Sequence, residues 1–363
     1  MASNFGKNIS VQIFGESHGT AIGVVIDGIK AGEFIDENEL MHFMSRRAPG
    51  SKLATSRKES DTVQFISGVK EGIICGSPIC AVIQNKDQHS SDYNQITNTP
   101  RPSHADYTAY IKYNKHADMR GGGHFSGRLT APLCIAGGIA KQILSRQGIK
   151  IWAHILQIGP VKDKPFDTIN PLKDNLNELS FKPLAVIDDN CGEGMRQQIN
   201  KAKENKDSIG GEIECCITGI KPGLGQPMFD GIEGRLAYTL FGIPAVKGVE
   251  FGSGFLAPTL YGSQNNDEFV YEGNKIVTKT NNHGGILGGI TTGMPIIFRT
   301  AIKPTPSIAK KQNTVNLSTH HNAEIEIKGR HDPCIAVRAV PVIEAAAAIT
   351  MLDIIYDYDN ERK

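Results

Sequence analysis

Glycine-rich turns that also carry charge recur from one end of this chain to the other, and they constrain its fold more than any other feature. Gly15-Glu16-Ser17-His18-Gly19 opens the series and Arg330-His331-Asp332-Pro333-Cys334 closes it. Between them lie Arg120-Gly121-Gly122-Gly123-His124-Phe125-Ser126-Gly127-Arg128 and Asn281-Asn282-His283-Gly284-Gly285-Ile286-Leu287-Gly288-Gly289. Small residues let the backbone approach a ligand closely, and cationic neighbours suit an anion. The pattern predicts an enzyme whose single site is assembled from many loops.

The segments between the turns alternate in period. Asn8–Phe14 and Ala21–Ile29 read as two strands around the Gly15–Gly19 turn. Thr62–Gly68, Ile73–Ile83, Lys150–Ile158 and Glu212–Ile220 are further β-rich runs. Asp36-Glu37-Asn38-Glu39 is a capping box opening a helix that carries Leu40, Phe43 and Met44 on one face. Ala105–Tyr113 reads as a short helix and Ser126–Arg146 as a longer one. An Ala-rich helix over Pro341–Asp357 ends the chain, marked by Ala345–Ala348. Each long helix follows a basic, glycine- or proline-marked segment, which predicts one large α/β domain, residues 1–363, built from two related halves.

Composition removes several classes of function. The formal net charge is +1 over 363 residues, so any attraction for anions is local. No Lys/Arg run with interleaved aromatics marks a nucleic-acid binder. The first residues lack an apolar signal core, and no apolar run reaches about 18 residues without charge or glycine, so neither secretion nor a membrane span is expected. Seven cysteines with no C-x-x-C pair favour reduced, mostly buried thiols and a cytoplasmic protein. The eleven histidines include no metal-ligand spacing, so no metal site is expected.

The motifs carry the chemistry. Gly15–Gly19 matches the G-x-S-x-G nucleophile elbow, which would make Ser17 a hydrolase nucleophile, but that motif needs a following helix and Ile22–Gly28 favours a strand. In a strand-to-strand turn His18 is instead a candidate proton donor, or simply a turn residue. In Arg101-Pro102-Ser103-His104-Ala105-Asp106, Ser103 is placed to cap the next helix. His104 then sits in its first turn, where the dipole lowers a histidine pKa and favours anions; a surface capping cluster is the alternative. After the triple glycine, Ser126 can cap the long helix and leave first-turn N–H groups for a phosphate or carboxylate, with Arg120 or Arg128 adding bidentate contacts. The P-loop lysine is missing. Lys303-Pro304-Thr305-Pro306-Ser307 offers a cation, hydroxyls and rigid turns, or else a linker.

Taken together and in order, these motifs resemble those of the chorismate synthase family. Asp207-Ser208-Ile209-Gly210-Gly211, Ala245-Val246-Lys247-Gly248-Val249-Glu250 and Arg338-Ala339-Val340-Pro341-Val342-Ile343-Glu344-Ala345 extend the likeness over nearly the whole chain. The resemblance implies a β-α-β sandwich and a lyase of the shikimate pathway of aromatic amino acid biosynthesis. That enzyme makes chorismate from 5-enolpyruvylshikimate 3-phosphate by 1,4-elimination of phosphate, using reduced FMN with no net redox change. It further implies a homotetramer, and reducing equivalents from NADPH through a separate flavin reductase rather than a fused one. By resemblance, His18 serves the departing phosphate, His104 protonates or hydrogen-bonds the reduced flavin, and Asp332 assists proton removal through it. Arg46, Arg47, Arg128 and Arg338 match basic substrate- or nucleotide-binding positions. His124, Phe125, Ser126, Gly288, Lys303, Pro304, Thr305, Pro306, Ser307 and Arg330 match the cofactor site. Many members carry Arg-Ser-Ser where this chain has His124-Phe125-Ser126, Glu-Thr where it has Leu129-Thr130, and an arginine where it has Leu53. A serine hydrolase using Ser17 and a non-catalytic anion-binding assembly protein are the other readings.

Overall fold

Two antiparallel five-stranded sheets enclose a layer of helices. The structure, a computed structural model, describes residues 3–48, 61–85, 98–174, 176–327 and 331–362. Its helices are α1 (Glu37–Arg47), α2 (Asp106–Lys112), α3 (Thr130–Arg146), α4 (Asp189–Glu204), α5 (Ile232–Phe241), α6 (Gly262–Asn265) and α7 (Ala336–Glu361).

The first sheet orders its strands Asn4–Phe5, Ser10–Gly15, Ala21–Asp27, Ile79–Gln84, Gln64–Ser67. The second runs Val246–Phe251, Ile296–Ile302, Gly211–Thr218, Lys150–Ile158, Val161–Lys162. Alternation decides which face of each sheet is buried. Ile22, Val24 and Ile26 from one sheet and Ile213, Cys215 and Ile217 from the other join a single apolar core with α1, α3, α5 and α7. α3 packs on the first sheet and α7 on the second, so the helices lie between two sheets and the expected α/β, β-α-β sandwich is what forms.

Small residues set the spacing of the helical layer. A Cβ on Gly137 would lie 2.2 Å from the Ala345 Cβ, and one on Gly138 would lie 2.6 Å from Leu40 Cδ1. α3 is therefore in backbone contact with α7 on one side and under α1 on the other. α7 is long and apolar enough to cross a membrane by length and composition, yet its most apolar stretch is 94% buried inside the protein.

Several boundaries differ from the sequence reading. α7 begins at Ala336 and takes Pro341 inside it, rather than starting at the proline. Asp36 does cap α1, accepting from the Asn38 and Glu39 amides at 2.9 and 3.0 Å, but the box is not closed by Glu39. The Asp36 amide donates instead to Gln142 Oε1 of α3 at 2.8 Å. Ser103 does not cap α2: it has φ +59, and no side chain caps that helix. Ser126 caps a 3-10 turn, Gly127–Leu129, that runs directly into α3. All seven cysteines are free thiols.

Candidate active site

The Gly15–Thr20 turn leads into the strand Ala21–Asp27, so the helix that a nucleophilic Ser17 would require is not there. Asn85 holds the turn in shape, its Nδ2 donating to the carbonyls of Gly19 and Glu16 at 2.9 and 3.2 Å. The Ser17 amide donates to the Gly123 carbonyl at 3.1 Å, which docks the turn on the triple glycine. There the backbone takes φ of +60, +94 and +54 at Gly121, Gly122 and Gly123, values that side chains resist. The reason for bare glycine lies in what faces it. A Cβ on Gly121 would sit 2.4 Å from His18 Cδ2, and one on Gly122 would sit 3.3 Å from His104 Nε2. Two histidines from distant motifs thus abut consecutive residues.

His104 is closely held. Its Nδ1 lies 2.7 Å from Asp106 Oδ1 and 3.1 Å from Arg101 Nη2. Arg101 clamps the same carboxylate, Nε donating to Oδ2 and Nη2 to Oδ1, both at 2.7 Å, and its Nη1 reaches Ser307 Oγ at 3.1 Å. Burial opposes charge on Asp106, yet hydrogen bonds from Arg101 and His104 hold its pKa far below the usual carboxylate range. Burial also lowers the His104 pKa, Arg101 and Lys303 adding to the effect and Asp106 opposing it. The helix-dipole explanation is not needed, since α2 starts two residues later.

Asp332 accepts from Arg338 Nη1 at 2.6 Å, and Arg338 Nε donates to the Arg47 carbonyl at 2.9 Å. Arg47 Nη1 donates to Asp61 Oδ2 at 2.7 Å, and Arg128 pairs with the other oxygen of Asp61. Arg128 Nε then donates to Asn85 Oδ1 at 3.2 Å, which returns the chain of bonds to the His18 turn. A second route runs from the Pro333 carbonyl to the Ile209 amide (2.8 Å) and from Ser208 Oγ to the Thr305 carbonyl (2.7 Å). It reaches the loop whose Ser307 is bonded to Arg101. The turns that carry His18, His104 and Asp332 are therefore connected by continuous chains of polar contacts.

Among the described residues, three guanidinium groups, of Arg47, Arg128 and Arg338, converge on the carboxylates of Asp61 and Asp332. Burial penalises the Asp61 charge, but Arg47 and Arg128 keep its pKa below the usual range. Burial and the neighbouring Arg47 lower the Arg338 pKa despite Asp332. Such a cluster gains from an added anion.

This arrangement coincides with a match to a known family. The model of the chorismate synthase family matches residues 9–356. The chain belongs to the chorismate synthase family. It is 44% identical to the chorismate synthase of Lancefieldella parvula over all of this chain and 98% of that one. It is 46% identical to that of Korarchaeum cryptofilum and 45% to that of Thermococcus kodakarensis, each over 96% of both chains. A crystal structure of chorismate synthase aligns with a TM-score of 0.78 at 30% identity, over 98% of this chain and 93% of the other.

The expected site residues of a chorismate synthase distribute unevenly. Arg46 is taken up elsewhere: its Nη1 and Nη2 donate to Glu344 Oε2 and Oε1 at 2.9 and 2.7 Å in a buried cluster with Lys141. That bidentate pair makes it an interior support for α1 and α7 rather than a cation awaiting substrate. His124 is also engaged, Nδ1 at 2.8 Å from the Gly15 carbonyl and Nε2 at 2.8 Å from Ser3 Oγ, so here it fastens the His18 turn. Phe125 packs beside Tyr113, their ring centroids 6.2 Å apart. Gly288 lies in the turn between Ile286–Leu287 and Ile290–Thr291, with open space around it. Arg330 and Leu53 fall outside the described residues.

The Lys303–Ser307 loop fits a cofactor edge. Among the described residues Thr305 Oγ1 is buried with no hydrogen-bond partner, and an orphan of that kind costs about 1–3 kcal/mol unless a ligand satisfies it. Lys303 is fixed on both sides, its amide donating to the Ala245 carbonyl at 2.9 Å and its Nζ to the Ser103 carbonyl. Asp61, Asn85 and Asp106 contact the candidate site residues Arg47, Arg128 and His104, and of the three only Asp106 lies within a sequence motif. Nothing local marks Asp61 or Asn85.

Proposed function

We propose that this chain makes chorismate from 5-enolpyruvylshikimate 3-phosphate by 1,4-elimination of phosphate, in the shikimate pathway. Family membership supplies the reaction class, a lyase. What supports the assignment of roles is the meeting of His18 and His104 on Gly121 and Gly122. The substrate brings two carboxylates and a phosphate, about four negative charges, to a protein of near-zero net charge. Arg47, Arg128 and Arg338 gather guanidinium groups in one place, and Arg338 also orients the Asp332 carboxylate.

In this reading His18 donates a proton, or a hydrogen bond, to the departing phosphate. His104 takes up and returns a proton at the ring edge facing Gly122, and the Asp332 carboxylate serves the proton lost from the substrate. Reduced FMN, when bound, supplies the transient electron exchange that side chains cannot, for a reaction without net redox change. Lys303, Thr305 and Ser307 would hold its edge, together with the backbone at Gly122 and Ser126. We further propose NADPH as the source of reducing equivalents through a separate reductase, assembly as a homotetramer, and a cytoplasmic location, each on the family resemblance.

The test is anaerobic phosphate release from the substrate with photoreduced FMN. His18→Ala and His104→Ala are expected to slow release by about 10²–10⁴-fold, the usual worth of a positioned proton donor. Full turnover in both variants would remove these roles.

A further inference from the structure

We propose that Asp106 is the positioning residue for His104, fixing the imidazole proton on Nδ1 so that Nε2 is the working nitrogen at Gly122. The inference rests on the reading that His104 takes part in the proton chemistry. Its geometric basis is separate from that reading. Two groups compete for Nδ1: a carboxylate oxygen at 2.7 Å, which requires a proton there, and the Arg101 guanidinium at 3.1 Å, which requires a lone pair. One nitrogen cannot serve both. Asp106 is the closer and the charged acceptor, and it is itself immobilised by the Arg101 amide at 2.9 Å and by two guanidinium bonds. The carboxylate therefore decides the tautomer, as outer partners of working histidines do.

The surroundings are arranged for this purpose. Ser103, the residue before His104, sits at φ +59, and a side-chain-bearing residue adopts that backbone only at a cost. The strained carbonyl is held by Lys303 from the opposite loop. The charged groups around the ring are thus Asp106 and Arg101 from its own turn and Lys303 from across the site, two cations and one anion. Without the carboxylate, both cations would discourage protonation and Arg101 would be free to donate into Nδ1, moving the proton to Nε2. The ring would then present a donor where an exchangeable base is needed.

The experiment uses the full chain carrying 15N-labelled histidine, with Asp106→Asn, Asp106→Ala, Asp106→Glu and His104→Ala. His104→Ala identifies the His104 resonances. Expected in Asp106→Asn are a shift of the neutral ring toward the Nε2–H tautomer and a lower titration midpoint. The turnover rate kcat in the phosphate-release assay should fall about 10–100-fold with KM within about threefold. Asp106→Glu, which restores the charge one methylene away, should recover part of both signals, and Asp106→Ala carries the test if the Asn variant does not fold. An unchanged tautomer and midpoint in folded Asp106→Asn or Asp106→Ala overturns the proposal. If instead His104→Ala keeps full turnover while the tautomer follows Asp106, the role of His104 falls and the positioning by Asp106 stands.

Discussion

The sharpest consequence of the site's geometry concerns a methyl group at Gly121. Its Cβ would lie 2.4 Å from His18 Cδ2, 2.6 Å from Nε2 and 2.8 Å from Ser17 Oγ. Carbon atoms in contact settle at about 3.5–4.0 Å, so the His18 ring must retreat by about 1 Å in Gly121→Ala. The backbone at φ +60 adds about 1–2 kcal/mol of strain. A domain whose stability is about 5–15 kcal/mol survives that loss. Catalysis does not, because a misplacement of about 1 Å costs on the order of 10²-fold. The expected outcome is a folded protein with near-normal cooperative melting and about 100-fold slower anaerobic phosphate release. Gly262→Ala is the matched control: its Cβ meets nothing within 4 Å and its φ is ordinary, so its turnover should equal that of the parent. Parental turnover in Gly121→Ala, at the same melting temperature, would refute the claim that His18 acts from this turn.

Two further predictions concern buried charge away from the reaction. Glu344 is 2% exposed among Arg46, Lys141 and the Ala153 amide, and truncating it to alanine strands two half-buried cations, costing about 3 kcal/mol in urea unfolding. Burial opposes its charge, but Arg46 and Lys141 lower its pKa from 4.5 to about 2. Its contribution is thus present above 4.5 and disappears as pH falls from there toward about 2; a variant as stable as the parent at neutral pH contradicts this. His154, fully buried, bridges Asp163 and Glu214 at 3.1 and 3.2 Å on the outer face of the second sheet. Burial works against its charge, yet the two carboxylates raise its pKa above 6.5. The stability it adds is complete below 6.5 and lost as pH rises through the elevated value. The stability gap between the parent and His154→Gln should accordingly shrink as pH rises above 6.5, and a constant gap argues against a charged His154.

The parts of this molecule that repeat with a short period were open to reading. Lys150–Ile158 is a strand with the bounds its pattern suggested, and α3 follows the triple glycine as expected. Boundaries slipped where tertiary contact overrides local preference. α7 runs through Pro341, and its first turns carry Arg338, which is bonded to both Asp332 and the Arg47 carbonyl. Ala345–Ala348 advertised helix propensity, but the same run also provides the small surface that lets Gly137 touch Ala345, which no one-dimensional pattern displays. At the site, motif residues could be named but not their allegiances. Arg46 and Arg47 are adjacent in sequence, and successive helical residues point about 100° apart. One consequently serves Glu344 and the other Asp61. Asp61 itself stands in a polar stretch where nothing but three-dimensional proximity to two guanidinium groups sets it apart.

The burial of α7 carries a consequence for how such a chain is made. Every strand of both sheets precedes this helix in sequence, so a ribosome delivers the two slices before the filling. Until about residue 336 emerges, the strands Lys150–Ile158 and Gly211–Thr218 of the second sheet lack the long helix that packs on them. The last helix to appear is thus the one that packs against α1, α3, α5 and the second sheet at once.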